Sequence, residues 1–180
     1  MKKLLSLLIT TLLISGCASP TQVTGSGFVT SCDQIRLLES ADKSALMGCL
    51  GGSAEINFHQ LRGPLLINVW GSWCEGCKQE MPYFVELHQS PLFKSGEIQM
   101  LGINVEEKSK DDAIDYIQKS GMSWPNLEDT SGISKSIFGP GVPVTWFIDE
   151  NGKNIETKIG AYTNKKQLFN QVEKAFGVKL

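Results

Sequence analysis

Cys74 and Cys77 stand two residues apart in the stretch WGSWCEGCKQE, residues 70–80. A pair at this spacing can hold a soft metal ion, close a loop, or exchange electrons with another disulfide. A helix beginning at this turn favours the last. Unpaired backbone N–H groups and the positive end of the helix dipole stabilise thiolate over thiol at the first cysteine. Cys74 is therefore the expected nucleophile, and Cys77, one turn on, the expected resolving thiol. Trp73 would stand as an apolar wall beside the sulfur. Between the cysteines, Glu75 and Gly76 would tune the pair. A carboxylate next to Cys74 disfavours the thiolate and favours the disulfide, and glycine leaves the first helical turn less rigid.

Three more cysteines, Cys17, Cys32 and Cys49, complete the five in the chain. The N-terminus reads MKK, then LLSLLITTLL over residues 4–13, then Ile14-Ser15-Gly16-Cys17. A basic end, a short apolar run and small residues before a cut site describe a secretory signal. The run is too short for a membrane span, which takes about twenty residues. The ending ISGC resembles the lipobox of bacterial lipoproteins, in which the cysteine becomes the lipidated first residue. On that reading residues 1–16 are a signal peptide, Cys17 is lipidated, and residues 17–31, small and polar, form a flexible tether. Residues 32–51 then form an N-terminal extension closed by a Cys32–Cys49 disulfide, and residues 52–180 are the main domain. An even number of cysteines outside the cytoplasm suggests disulfides. Loss of Lys2 and Lys3 with the signal would take the formal charge from −2 to about −4, with no basic stripe, so nucleic-acid binding is not expected.

These cysteines need elements to position them. Leu65–Trp70 (LLINVW) is an apolar run of strand length suited to the centre of a sheet. After the CEGC turn, Lys78–His88 carries Met81, Phe84, Val85 and Leu87 on one helical face, with Pro82 near its start. Residues 54–58 and 97–105 read as strands. Ser109 caps a helix to about Lys119, and residues 131–138 suggest a short helix. Val144–Ile148 and Ile155–Ile159 form a hairpin across Asn151-Gly152. Thr163 or Asn164 caps a last helix to Phe176. Residues 32–49 lack a clean period and are assigned neither helix nor strand. The order implies an α/β domain, a central mixed sheet flanked by helices.

WGSWCEGCKQEMP (70–82) together with GVPVTWFIDENG (141–152) resembles the thioredoxin superfamily, and more narrowly the exported TlpA/ResA-like thiol–disulfide oxidoreductases. The resemblance covers residues 52–176. It implies a thioredoxin-like fold and dithiol–disulfide exchange on protein cysteines without a cofactor. It also implies a membrane-embedded redox partner, with cytochrome c maturation as one pathway. In the family's pattern Pro143 is cis and faces the cysteines, so that the backbone of Val142 could pair with an extended substrate segment. The plain alternative is that Pro143 only starts a strand. Thioredoxins carry a buried Asp on the strand before the motif. Here the matching position is Asn68, which cannot titrate. Glu80 stands where TlpA/ResA-like proteins place a Glu, which implies that it handles the proton of Cys77. The alternative for Glu80 is a solvated surface carboxylate.

Other classes fit less well. A Cys₄ zinc site would need knuckle spacing, which Cys32 and Cys49 lack. A copper-delivery module of the same fold, the alternative function without redox turnover, usually spaces its cysteines by three with a His downstream. Neither His59 nor His88 is so placed. A peroxidatic cysteine would lack a neighbour two residues on. Cys32 and Cys49 are expected to form a structural disulfide, with a second redox pair relaying electrons to Cys74–Cys77 as the alternative. The expected protein is a monomer, lipid-anchored outside the cytoplasm, that acts in the reductive direction.

Overall fold

A computed structural model describes residues 26–39 and 44–180. Cys17, the proposed signal peptide and most of the tether lie outside the described residues. Among the described residues, seven strands form one mixed sheet: β1 (Leu46–Cys49), β2 (Glu55–Asn57), β3 (Leu65–Trp70), β4 (Gln99–Val105), β5 (Asn126–Asp129), β6 (Val144–Ile148) and β7 (Asn154–Ile159). Their spatial order is β2-β1-β5-β4-β3-β6-β7. β3, β4 and β5 run parallel, whereas β1, β6 and β7 join antiparallel. The helices are α1 (Glu75–His88), α2 (Pro91–Lys94), α3 (Lys110–Ser120), α4 (Ser134–Phe138) and α5 (Lys165–Phe176).

β3 is buried along its whole length, as a strand covered on both faces should be. Its side chains alternate. Leu66 and Trp70 join a core with Met81 and Phe84 of α1, Ile117 of α3 and Leu168 of α5. Leu65, Ile67 and Val69 face the opposite core, which holds Cys32, Cys49 and Phe138 of α4. This period of two puts Asn68 on the α1 side of the sheet.

The sequence expectations differ from the structure in local ways. α1 begins at Glu75 rather than Lys78, because the Cys74 side chain caps it. β1 and β5 arise in segments that gave no strand signal, and β1 is held by pairing with both β2 and β5. A strand of four residues is too short to display a period, so its tertiary partners decide it. Ser109 and Asn164 do cap their helices, each accepting a backbone N–H three residues on.

Candidate active site

Cys74 is the N-cap of α1, and its Sγ accepts the backbone N–H of Cys77 at 3.1 Å. The two cysteines are joined in a disulfide with their Cα atoms 5.3 Å apart. Cys77 is wholly buried, and Cys74, expected as an exposed nucleophile, is itself buried at 5% exposure in the disulfide form. Any thiolate formed on Cys74 would meet a donor already in place at the positive end of the helix. Glu75 extends into solvent and pairs with Lys78 at 4.0 Å.

Gly76 provides a close approach. A Cβ there would lie 3.3 Å from Cδ of Pro143 and 3.5 Å from Cβ of Ala161. The CEGC turn is thus packed against the Val142–Pro143 loop, whose peptide bond is cis. Pro143 is buried and Val142 half-buried. Trp73 is 48% exposed, and its indole N–H donates to the carbonyl of Val105 at 3.3 Å. Trp73, Val69, Val105, Phe138 and Val142 line a shallow groove with the Glu106–Lys135 ion pair at its edge.

Glu80 is wholly buried, which rules out the solvated-carboxylate alternative. Its Oε1 accepts Nδ2 of Asn68 at 3.0 Å, and its Oε2 accepts the backbone N–H of Tyr162 at 2.9 Å. Burial raises its pKa from 4.5 to about 7, opposed by those two hydrogen bonds and by the positive charge of Lys158. A carboxyl poised near neutrality, one helical turn from Cys77, is suited to taking and returning a proton.

Several supporting residues carried no recognisable signal in the sequence. Glu107 accepts the backbone N–H of Ser72 at 2.5 Å, the Ser72 hydroxyl at 2.7 Å and Nδ2 of Asn104 at 2.8 Å. It therefore fixes the loop that leads to Cys74. Trp70 donates to Oδ1 of Asn126 at 3.0 Å. Gly102 leaves the room for this, since a Cβ there would fall 1.8 Å from that oxygen. Tyr162 acts through its backbone, which residue type cannot reveal.

Cys32 and Cys49 form a second disulfide with Cα atoms 6.0 Å apart, buried in the core on the far face of the sheet from α1. These four cysteines are thus paired two and two. Among the described residues no cluster of three or more His, Cys, Asp or Glu is placed to hold a metal ion. Nor is any helix among them long and apolar enough to cross a membrane. His88 packs its ring against Trp124 near the C-terminal end of α1.

A thioredoxin-type sheet that presents a two-residue-spaced cysteine pair at a helix N-terminus defines a thiol–disulfide oxidoreductase acting on cysteine-containing proteins. The chain belongs to the AhpC/TSA family, whose sequence profile matches residues 43–156. It is 29% identical over 174 residues to the thiol-disulfide oxidoreductase ResA of Bacillus thuringiensis strain Al Hakam, covering 96% of each chain. It is 31% identical over 110 residues to ResA of Bacillus subtilis strain 168, covering 60% of each. Among solved structures, a secreted Mycobacterium tuberculosis disulfide oxidoreductase homologous to E. coli DsbE superposes with a TM-score of 0.61 at 18% identity, covering 72% of this chain and 94% of that one. StoA from Bacillus subtilis superposes with a TM-score of 0.53 at 24% identity, covering 68% and 91%.

Proposed function

We propose that this enzyme reduces protein disulfides outside the cytoplasm, held at the membrane as a monomer by a lipid on Cys17. Residues 1–16 are its signal, 17–31 its tether, 32–51 a disulfide-closed extension and 52–180 the catalytic domain. The observation that carries the redox reading is the Cys74–Cys77 disulfide at the cap of α1, with buried Glu80 behind it. In the reductive direction the Cys74 thiolate attacks a substrate disulfide. A mixed disulfide forms, and one substrate sulfur leaves as thiolate and takes a proton. Cys77 gives its proton to Glu80, and its thiolate attacks Cys74 Sγ. The second substrate sulfur then leaves and takes the proton held by Glu80, which returns to its carboxylate form. Two electrons pass from the protein dithiol to the substrate. Val142 and Pro143 offer backbone to an extended substrate segment, and Trp73 an apolar surface beside it. A membrane-embedded donor would return the electrons, and the ResA-like sequence supports cytochrome c maturation as the pathway.

The reduction potential of the pair tests the direction. A value near that of thioredoxin, about −270 mV, is expected, whereas one near about −120 mV would make the protein an oxidant. Alkylation of the reduced protein below neutral pH should label Cys74 first, and equal or faster labelling of Cys77 would reverse the roles. Metabolic labelling with a fatty acid should be abolished by Cys17→Ser. Label retained in that variant would refute the anchor.

A further inference from the structure

Asn68 sits wholly buried in the middle of β3, between Gly102 of β4 and Thr145 of β6. Its Nδ2 donates to Glu80, but its Oδ1 is buried with no hydrogen-bond partner among the described residues. A leucine or valine would suit the packing of this apolar strand and leave no orphaned oxygen. The amide therefore brings something those residues lack, a donor and an acceptor on one rotatable group. The other partner of Glu80, the Tyr162 N–H, can only donate. Two donors suit a carboxylate. Once Glu80 takes a proton it becomes a donor itself, and in a site closed to water its hydroxyl needs an acceptor.

We propose that Asn68 is a positioning residue that serves both protonation states of Glu80. Nδ2 donates to the carboxylate, and after a half-turn of the amide Oδ1 accepts the proton of the carboxylic acid. This rests on the reading of Glu80 as proton acceptor for Cys77. No electrons move in the step. The proton leaves Cys77 Sγ, resides on Oε1 of Glu80, and passes to the departing substrate thiolate or to water. Throughout, Oε2 stays tied to Tyr162, so the carboxyl keeps its place while its charge changes. The titratable and charged groups around it are Cys77 on α1, Lys158 on β7, Tyr116 on α3 and Tyr162 ahead of α5. Burial and the charge of Glu80 push both tyrosines above their ordinary range, so they stay neutral here.

The test uses the full chain in detergent in its oxidised form, where no active-site thiol titrates, followed by NMR from about pH 5 to about pH 9. Above the midpoint of the Glu80 carboxyl ¹³C signal, the Asn68 NH₂ protons should show cross-relaxation to the Glu80 methylene. Below it they should lose that contact. Asn68→Leu should raise the Glu80 midpoint, by about five-fold in proton affinity, because the charge-assisted bond lost by the carboxylate outweighs the neutral bond lost by the acid. Asn68→Thr, whose hydroxyl both donates and accepts, should bring the midpoint back toward the original. Persistence of the contact below the midpoint, or an unmoved midpoint in a folded Asn68→Leu, would overturn the proposal. If Asn68→Leu does not fold, the unmodified chain and Asn68→Thr decide it. The Glu80 reading is measured apart from this by the exchange rate of Glu80→Gln. An unchanged rate there removes Glu80 from the reaction while the NMR titration still reports on the amide.

Discussion

The backbone N–H of Tyr162 donates to Oε2 of Glu80 at 2.9 Å, so a carboxyl carried by α1 is fastened to the loop that precedes α5. The link crosses the active site from the helix bearing the cysteines to the loop whose Ala161 packs beside Gly76. The protonation of one side chain is therefore coupled to how two elements meet.

That coupling sets a pH dependence of stability. Burial raises Glu80 to about 7 from its ordinary 4.5. The native state thus holds its proton longer than the unfolded chain does. Stability from this group is complete below about pH 4.5 and declines as pH rises through about 7, by roughly 3 kcal/mol in all. Oxidised Glu80→Gln should match the original near pH 4.5 and exceed it near pH 8. Because Gln does not titrate, the excess near pH 8 equals what the original loses between those two pH values, roughly 3 kcal/mol. Urea unfolding across the range measures it, and curves that stay parallel would sink the idea.

The buried Cys32–Cys49 bond ties the N-terminal segment to β1 on the opposite face from α1. Its removal by Cys32→Ser with Cys49→Ser should cost about 3 kcal/mol and leave the potential of Cys74–Cys77 unchanged. Graded dithiothreitol followed by peptide mapping should open Cys74–Cys77 first. Simultaneous opening, or a shifted potential in the double variant, would favour a relay between the pairs.

Much of this site was legible in the sequence because it is local. Cys74, Cys77 and Glu80 lie within two turns of one helix, and Asn68 lies six residues before Cys74 on a strand whose alternation fixes its face. What stayed hidden is non-local. Glu107 reaches back to Ser72 across 35 residues, and the contribution of Tyr162 is a backbone N–H. β5 has four residues and is defined by its neighbours β1 and β4. Burial of Glu80 was likewise invisible, since a Glu in the first turns of a helix is more often solvated.

Gly76 separates packing from propensity. Ala in place of Gly gains up to about 1 kcal/mol of intrinsic helix stability. The new Cβ would press on Pro143 Cδ at 3.3 Å and on Ala161, which opposes the gain. Gly76→Ala should therefore change the unfolding midpoint little. It should slow exchange with a protein disulfide more than with a small aromatic disulfide, because the pressed loop is the one offered to an extended chain. Equal slowing for both substrates would count against Pro143 as substrate backbone.

Glu107 tests whether the loop ahead of Cys74 must be held. Its carboxylate takes three donors, the N–H and hydroxyl of Ser72 and the amide of buried Asn104. Charge-assisted bonds of this kind are worth more than neutral ones. Glu107→Ala leaves the Ser72 N–H and the Asn104 amide without that partner, at a cost of about 1–3 kcal/mol. Glu107→Gln keeps the shape and one acceptor and should cost roughly half as much. The functional effect follows from position, because Ser72 precedes Cys74 by two residues and Trp73 lies between them. Release of Ser72 lets Trp73 and the cap of α1 move, so the attacking sulfur spends less time aligned. Reduced Glu107→Ala should lose about ten-fold in exchange rate with protein disulfides, with the far-UV spectrum unchanged. The Cys74 thiol should also titrate higher, since the cap geometry that favours its thiolate is loosened. Full activity in Glu107→Ala, with the loss of stability present, would mean that the clamp serves the fold alone.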